Sequence, residues 1–137
     1  MQTQKKHRLK QLRHWRIRKK VCGTKERPRM AVCFTNEHIY VQFIDDSAGQ
    51  TIASASTRSK ATPDREKLAA NVTSAKTIGK IAAEAAIAKG IKNVVFDRGG
   101  ARYHWSKPEA KDKKEAQPVY GKLAALAEAA RAAGLKF

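Results

Sequence analysis

Positive charge is spread so unevenly along this chain that only part of it suits a folded core. Residues 1–29 hold 12 Lys/Arg and one acid, residues 30–97 hold 8 and 7, and residues 98–137 hold 9 and 4, giving net charges of +11, +1 and +5. The first segment repels itself when compacted, whereas the near-neutral middle can close on an apolar interior. The layout is a scaffold with a cationic extension: an arm and linker over 1–29, then one α/β domain over 30–137. With 137 residues the chain suffices for one core and not two.

A total of +17 calls for a polyanion, and nucleic acid is the leading one. A membrane surface would want an apolar stripe on a basic helix, and "KKHRLKQLRHWRIRKKV" (5–21) offers a partial one. Leu9, Leu12 and Trp15 share a side of that helix, while Ile17 and Val21 fall elsewhere. The segment has no Pro or Gly, yet like-charge repulsion makes it marginal alone in water, to be ordered when phosphates neutralise it. A solvated tail is the bland alternative; the density of Arg and the interleaved His7, His14 and Trp15 favour RNA contact. No apolar run has the length of a signal peptide or a membrane span, so an intracellular protein with no membrane partner is expected. The Arg-rich start also resembles an organelle transit peptide, although it lacks the Ser enrichment of one. Cys22 and Cys33 lack a second pair, which suggests neither a disulfide framework nor a four-ligand zinc site, and no cofactor is implied.

After the polar linker "GTKERPR" (23–29), "MAVCFTNEHIYVQFIDD" reads as two strands around Asn36-Glu37, with Met30, Val32 and Phe34 on one face and Ala31, Cys33 and Thr35 on the other. "TIASAST" (51–57) is a third β-rich segment. Residues 71–89 place Val72, Ala75, Ile78, Gly79, Ala82 and Ala86 on one helical face and end at Gly90. "IKNVVFD" (91–97) has the look of a buried strand, and "GKLAALAEAARAAGLKF" that of an Ala-rich helix closing at Gly134. The expected fold is an αβββαβα sandwich with a mixed sheet and a basic N-terminal helical arm.

The nine residues "DRGGARYHW" (97–105) concentrate the chain's most unusual chemistry. Gly99 and Gly100 permit positive φ or close approach, Arg98 and Arg102 supply phosphate donors, and Tyr103 and His104 offer rings and polar edges. An alternative reading stays open, in which this is a tight strand exit where Asp97 pairs with Arg98 or caps backbone amides. The paired Gly lack the rest of a dinucleotide fingerprint or phosphate loop, so no small-molecule substrate is indicated. An enzymatic rival is a metal-dependent nuclease built from Asp45, Asp46, Glu84 and Asp97, and a third class is an unspecific nucleic-acid packaging protein.

Five ordered blocks, "RHWRIRKKVCGTKERPRMAV", "TNEHIYVQFIDD", "TIASAST", "VVFDRGGARYH" and "LAEAARAAGLKF", are together far more specific than any single motif. From about Arg8 to Phe137 they resemble the bacterial large-subunit ribosomal protein L-eighteen family, which binds 5S rRNA. The resemblance implies a non-enzymatic protein of the central protuberance, located on the cytoplasmic ribosome. Its implied partners are 5S rRNA, large-subunit rRNA and neighbouring ribosomal proteins. It implies RNA contact at Arg13, Arg16, Arg18, Lys19, Lys20, Arg27 and Arg29, while Lys5, Lys6, Arg8 and Lys10 rest on charge alone. The loop residues Arg98, Gly99, Gly100, Arg102, Tyr103 and His104, and Lys122 before the last helix, complete the expected set.

Two departures stand out. Where the family usually has Arg-Ser-Asn-Lys-His, this chain has Phe34-Thr35-Asn36-Glu37-His38, leaving neutral hydrogen bonds from Thr35, Asn36 and His38. Residues 105–120 interrupt the usual passage from Tyr-His into Gly-Arg; four Lys and three acids nearly cancel there, and the expectation is a solvated loop, with a short exposed helix from the Ser106–Glu109 capping spacing as the variant.

Overall fold

Hydrophobic alternation sets the sheet. In the computed structural model, which describes residues 2–106 and 118–137, strands β1 (Arg29–Phe34), β2 (Ile39–Asp45) and β3 (Gln50–Ser56) form an antiparallel meander. Met30, Val32, Ile39, Val41, Phe43, Ala53 and Ala55 point to one face and are buried. The opposite phase, including Ala31, Cys33, Tyr40, Gln42 and Ile44, forms the other face. Cross-strand register pairs Cys33 with Tyr40 and Ala31 with Gln42, and a bulge interrupts the β2–β3 ladder between Phe43 and Ile44.

Helix α2 (Val72–Ala88) begins where Asn71 Oδ1 accepts the Ser74 N–H at 2.7 Å. It crosses back over the buried face, so the next strand, β4 (Val95–Asp97), pairs parallel with β1 and the sheet order is β3-β2-β1-β4. Helix α3 (Lys122–Ala132) lies beside α2 over the same core. Gly79 makes their close approach possible: a Cβ there would fall 2.5 Å from the Leu126 carbonyl oxygen. Among the core's fully buried side chains, Phe43, Met30, Ile39, Ile78 and Leu126 each contribute about 1.5–3 kcal/mol. After α2 and α3 the chain turns at Gly90 and Gly134, both at positive φ (78° and 109°), as the sequence leads one to expect.

The mixed α/β sheet and the basic N-terminal helix follow the expectation, with two adjustments. The strand expected over 91–97 is regular only at Val95–Asp97, because Asn93 instead bridges to Lys136 in the C-terminal segment. A small antiparallel ladder, β5 (Trp105–Ser106) with β6 (Val119–Tyr120), was also not expected. Two-residue strands are too short to show alternation, which is why a loop was the natural reading of 105–120. The helix suggested from Ser106–Glu109 lies for the most part outside the described residues.

The arm is helix α1 (Thr3–Arg18), with seven Lys/Arg, no acid and no buried residue. Its Leu9, Leu12 and Trp15 side is exposed, and His14 and Ile17, half-buried, face the body instead.

Candidate nucleic-acid interface

The open face of the sheet is roofed by the arm. A groove of about 450 Å³ lies between them, walled by Lys10, His14 and Arg18 of α1, floored by the outward residues of β1 and β2, and closed at one end by residues 98–101. A second cleft of about 350 Å³ joins Lys6, Lys10 and Arg13 to Gly99 and Gly100. The arm and the Gly-Gly loop, 80 residues apart in sequence, therefore build one cationic surface.

Glycine geometry explains the meeting. Gly99 (φ 57°) and Gly100 (φ 81°) both occupy the left-handed region, and a Cβ on Gly100 would sit 3.6 Å from His14 Nε2. A Cβ on Gly99 would come within 2.9 Å of the Val32 carbonyl oxygen. His14 Nε2 is buried there and has no hydrogen-bond partner among the described residues.

Beneath the groove, Arg29 organises the carboxylates. Its Nη2 and Nε donate to the two Asp46 oxygens at 2.7 and 2.8 Å, and its Nη1 donates to Asp97 Oδ2 at 3.1 Å. The Gly23 N–H donates to Asp46 Oδ2 (2.7 Å) and the Gly99 N–H to Asp97 Oδ1 (2.9 Å). One guanidinium thus ties the linker below the arm to the Gly-Gly loop. The Arg29 hydrogen bond, reinforced by Gly23 and by the Arg29 and Arg18 charges, holds the Asp46 carboxyl at about 2 despite the cost of burial. Conversely, hydrogen bonding to Asp46 raises Arg29 above its ordinary value.

The expected RNA-contacting residues fall into distinct places. Lys5, Lys6, Arg8, Lys10, Arg13, Arg16, Arg18, Lys19 and Lys20 are exposed on or just after α1, and none forms an ion pair among the described residues. Arg98, Gly100, Arg102 and His104 are exposed, and Gly99 is half-buried. Arg29 differs: it is 3% exposed, its guanidinium spent on Asp46 and Asp97, so it frames the surface instead of presenting a free charge. Asp97 does cap a backbone amide, at Gly99, but its ion pair is with Arg29 and not with Arg98.

At the hairpin, Thr35 Oγ1 accepts the His38 N–H and donates to its carbonyl, closing the turn, while Asn36 is exposed and His38 Nδ1 lies 3.2 Å from Thr57 Oγ1. Three others lie outside the groove. Arg27 reaches the Val94 carbonyl at 3.4 Å, Lys122 Nζ donates to the Ala70 carbonyl at 2.9 Å, and the Tyr103 hydroxyl donates to Glu128 at 2.8 Å. Burial, then Glu128, push the Tyr103 phenol up from its usual range.

The four acids of the nuclease reading are otherwise occupied. Asp46 and Asp97 share Arg29, Asp45 accepts the Ser47 and Ala48 amides, and Glu84 is exposed on α2 across the sheet. Among the described residues no three His, Cys, Asp or Glu side chains are placed to hold a metal ion, and no helix is long and apolar enough to cross a membrane.

Sequence reasoning missed the floor of the groove, where Tyr40, Gln42 and Ile44 line the open face. The signal was present: they are the off-core phase of "IYVQFID", the half of the alternation left over once the core was assigned.

Comparison with known proteins gives the chain's family. The family model described as ribosomal L18 of archaea, bacteria, mitochondria and chloroplast matches residues 4–108. The chain is 50% identical over 124 residues to large ribosomal subunit protein uL18 of Solibacter usitatus, covering 90% of this chain and 88% of that one. Identity is 46% over 129 residues to uL18 of Dictyoglomus thermophilum (94% and 93% covered) and 46% over 138 residues to uL18 of Prochlorococcus marinus (100% and 94%).

Proposed function

Since the chain belongs to the ribosomal uL18 family, we propose that it is a non-enzymatic constituent of the large ribosomal subunit that binds 5S rRNA and helps attach it to the large-subunit rRNA in the central protuberance. The observation that carries this reading is α1: seven cations in sixteen residues, no acid, and no residue fully buried. A helix with that composition has no core to serve and is weakly held alone; phosphates laid along it remove its self-repulsion. The body fixes its direction through Gly23, Arg29 and Asp46 and adds Arg98 beside it. Arg8, Arg13, Arg16 and Arg18 on the arm, with Arg98 and Arg102 on the loop, serve as phosphate donors; Thr35, Asn36 and His38 extend the surface with neutral groups.

Competition binding tests the target. At one salt concentration the full chain prefers folded 5S rRNA over tRNA and duplex DNA, and a footprint on 5S rRNA shrinks when residues 1–20 are removed. Equal affinity for all three competitors would reduce the protein to an unspecific polycation binder.

A further inference from the structure

We infer that the groove between α1 and the open sheet face is a pocket for one unpaired nucleotide of the bound RNA, its base lying against Tyr40 and its phosphate held by Lys10, Arg18 and Arg98. This rests on the RNA-binding reading and adds to it a site that phosphate contacts along the arm do not require.

Three features support the assignment. The first is size and shape: about 450 Å³ lies within the range of clefts that enclose small ligands, and a duplex cannot enter between a helix and the sheet it roofs. The second is charge. Lys10, Arg18 and Arg98 line the groove, and the two remaining charged side chains in its lining, Arg29 and Asp97, are paired with each other. Lys10, Arg18 and Arg98 have no ion-pair partner among the described residues, so the rim is free to take an anion.

The third is the floor. Tyr40 is half-buried and lines the groove, its ring met edge-on by His38 at 6.2 Å between centroids. Neither the Tyr40 hydroxyl nor the Gln42 amide has a hydrogen-bond partner among the described residues, and both line the groove beside Ala31, Cys33 and Ile44. An aromatic ring flanked by an amide able to donate and accept, on an open sheet under a cationic rim, matches what single-stranded bases need: a stacking surface and an edge reader. An acidic peptide would satisfy the rim and the amide and leave the ring without a stacking partner.

The test uses the full chain and 5S rRNA. Stacking on one aromatic side chain predicts that Tyr40→Ala weakens binding about 5- to 150-fold, with an unchanged slope of log affinity against log salt, since no phosphate contact is lost. Tyr40→Phe keeps the ring and retains wild-type affinity within about twofold. Ultraviolet crosslinking of the wild-type complex, read by mass spectrometry, places a nucleotide adduct at Cys33 or Tyr40, and a single-stranded oligonucleotide competes it away. Wild-type affinity in a folded Tyr40→Ala variant, or adducts on the arm with none between residues 31 and 44, would overturn the pocket. So would displacement of the adduct by poly-glutamate and not by the oligonucleotide, which would assign the groove to an acidic peptide. Loss of 5S rRNA preference by the wild-type chain would instead strike the underlying reading.

Discussion

Replacing Asp46 with Asn removes the charge that Arg29 depends on most and keeps the side chain's shape. Arg29 is 4% exposed at its side chain, and two of its three hydrogen bonds to carboxylates go to Asp46, so the variant leaves a buried guanidinium facing Asp97 alone. The Asp46 carboxyl sits at about 2, against an ordinary 3.8. That gap is worth at most about 2–3 kcal/mol by proton linkage. Because the Asp46 side chain is 31% exposed, water screens it, and about 1 kcal/mol is the expected contribution. The folded pKa is depressed, so this stabilisation is complete above the unfolded value near 3.8 and disappears as pH falls through 2. Urea unfolding of wild type and Asp46→Asn, followed by circular dichroism at intervals from pH 7 to pH 2, should show a gap of about 1 kcal/mol that is flat down to pH 4 and closes below it. A gap that stays constant to pH 2, or a variant as stable as wild type at pH 7, would refute the role given to this ion pair.

Removing residues 1–20 should flatten the salt dependence of RNA binding while leaving the thermal unfolding of the body in place; if the arm neutralises about six phosphates, the intact chain loses roughly a thousandfold in affinity between 50 and 200 mM salt. Within the arm, Arg16→Ala should lower that slope by about 0.9 if it meets a phosphate, as filter binding across a salt series will show. Gly79→Ala, whose methyl would press on the Leu126 carbonyl, should destabilise the fold by about 1–3 kcal/mol in chemical denaturation, because a backbone atom cannot swing aside. Tyr103→Phe should cost about 0.5–1.5 kcal/mol through the lost hydrogen bond to Glu128, with little change in RNA affinity because the ring lies at α3 and outside the groove.

The core was legible because it obeys two periods. Alternation in 30–34 and 39–43 told the buried face of the meander from the open one, and the three- and four-residue spacing from Val72 to Ala86 marked α2, with Asn71 and Gly90 as its ends. Charge partition likewise marked the arm. What escaped was long-range. Arg29 carries the same charge as its neighbours Arg27 and Lys25, and only the fold, which brings Asp46 and Asp97 to one guanidinium across 17 and 68 residues, separates a framing Arg from a surface one. The groove escaped for a related reason: its walls come from α1 and its floor from β1 and β2, and no local pattern announces that a helix will roof a sheet face.

These two oversights share one physical cause, which also explains how so basic a chain can fold. A cationic surface needs its cations unpaired, yet carboxylates placed near them would pair with and discharge them. This fold keeps the nearest acids busy with inward partners: Asp46 and Asp97 with Arg29, and Asp45 with the amides of its own turn. Arg29 therefore acts at a distance from any ligand. By pairing with Asp46 and Asp97, it leaves Lys10, Arg18 and Arg98 without an ion-pair partner among the described residues. The near-neutral charge of residues 30–97 then includes acids already paired beside the arm, so the same pairing that steadies the core preserves the positive potential that a polyanion would meet.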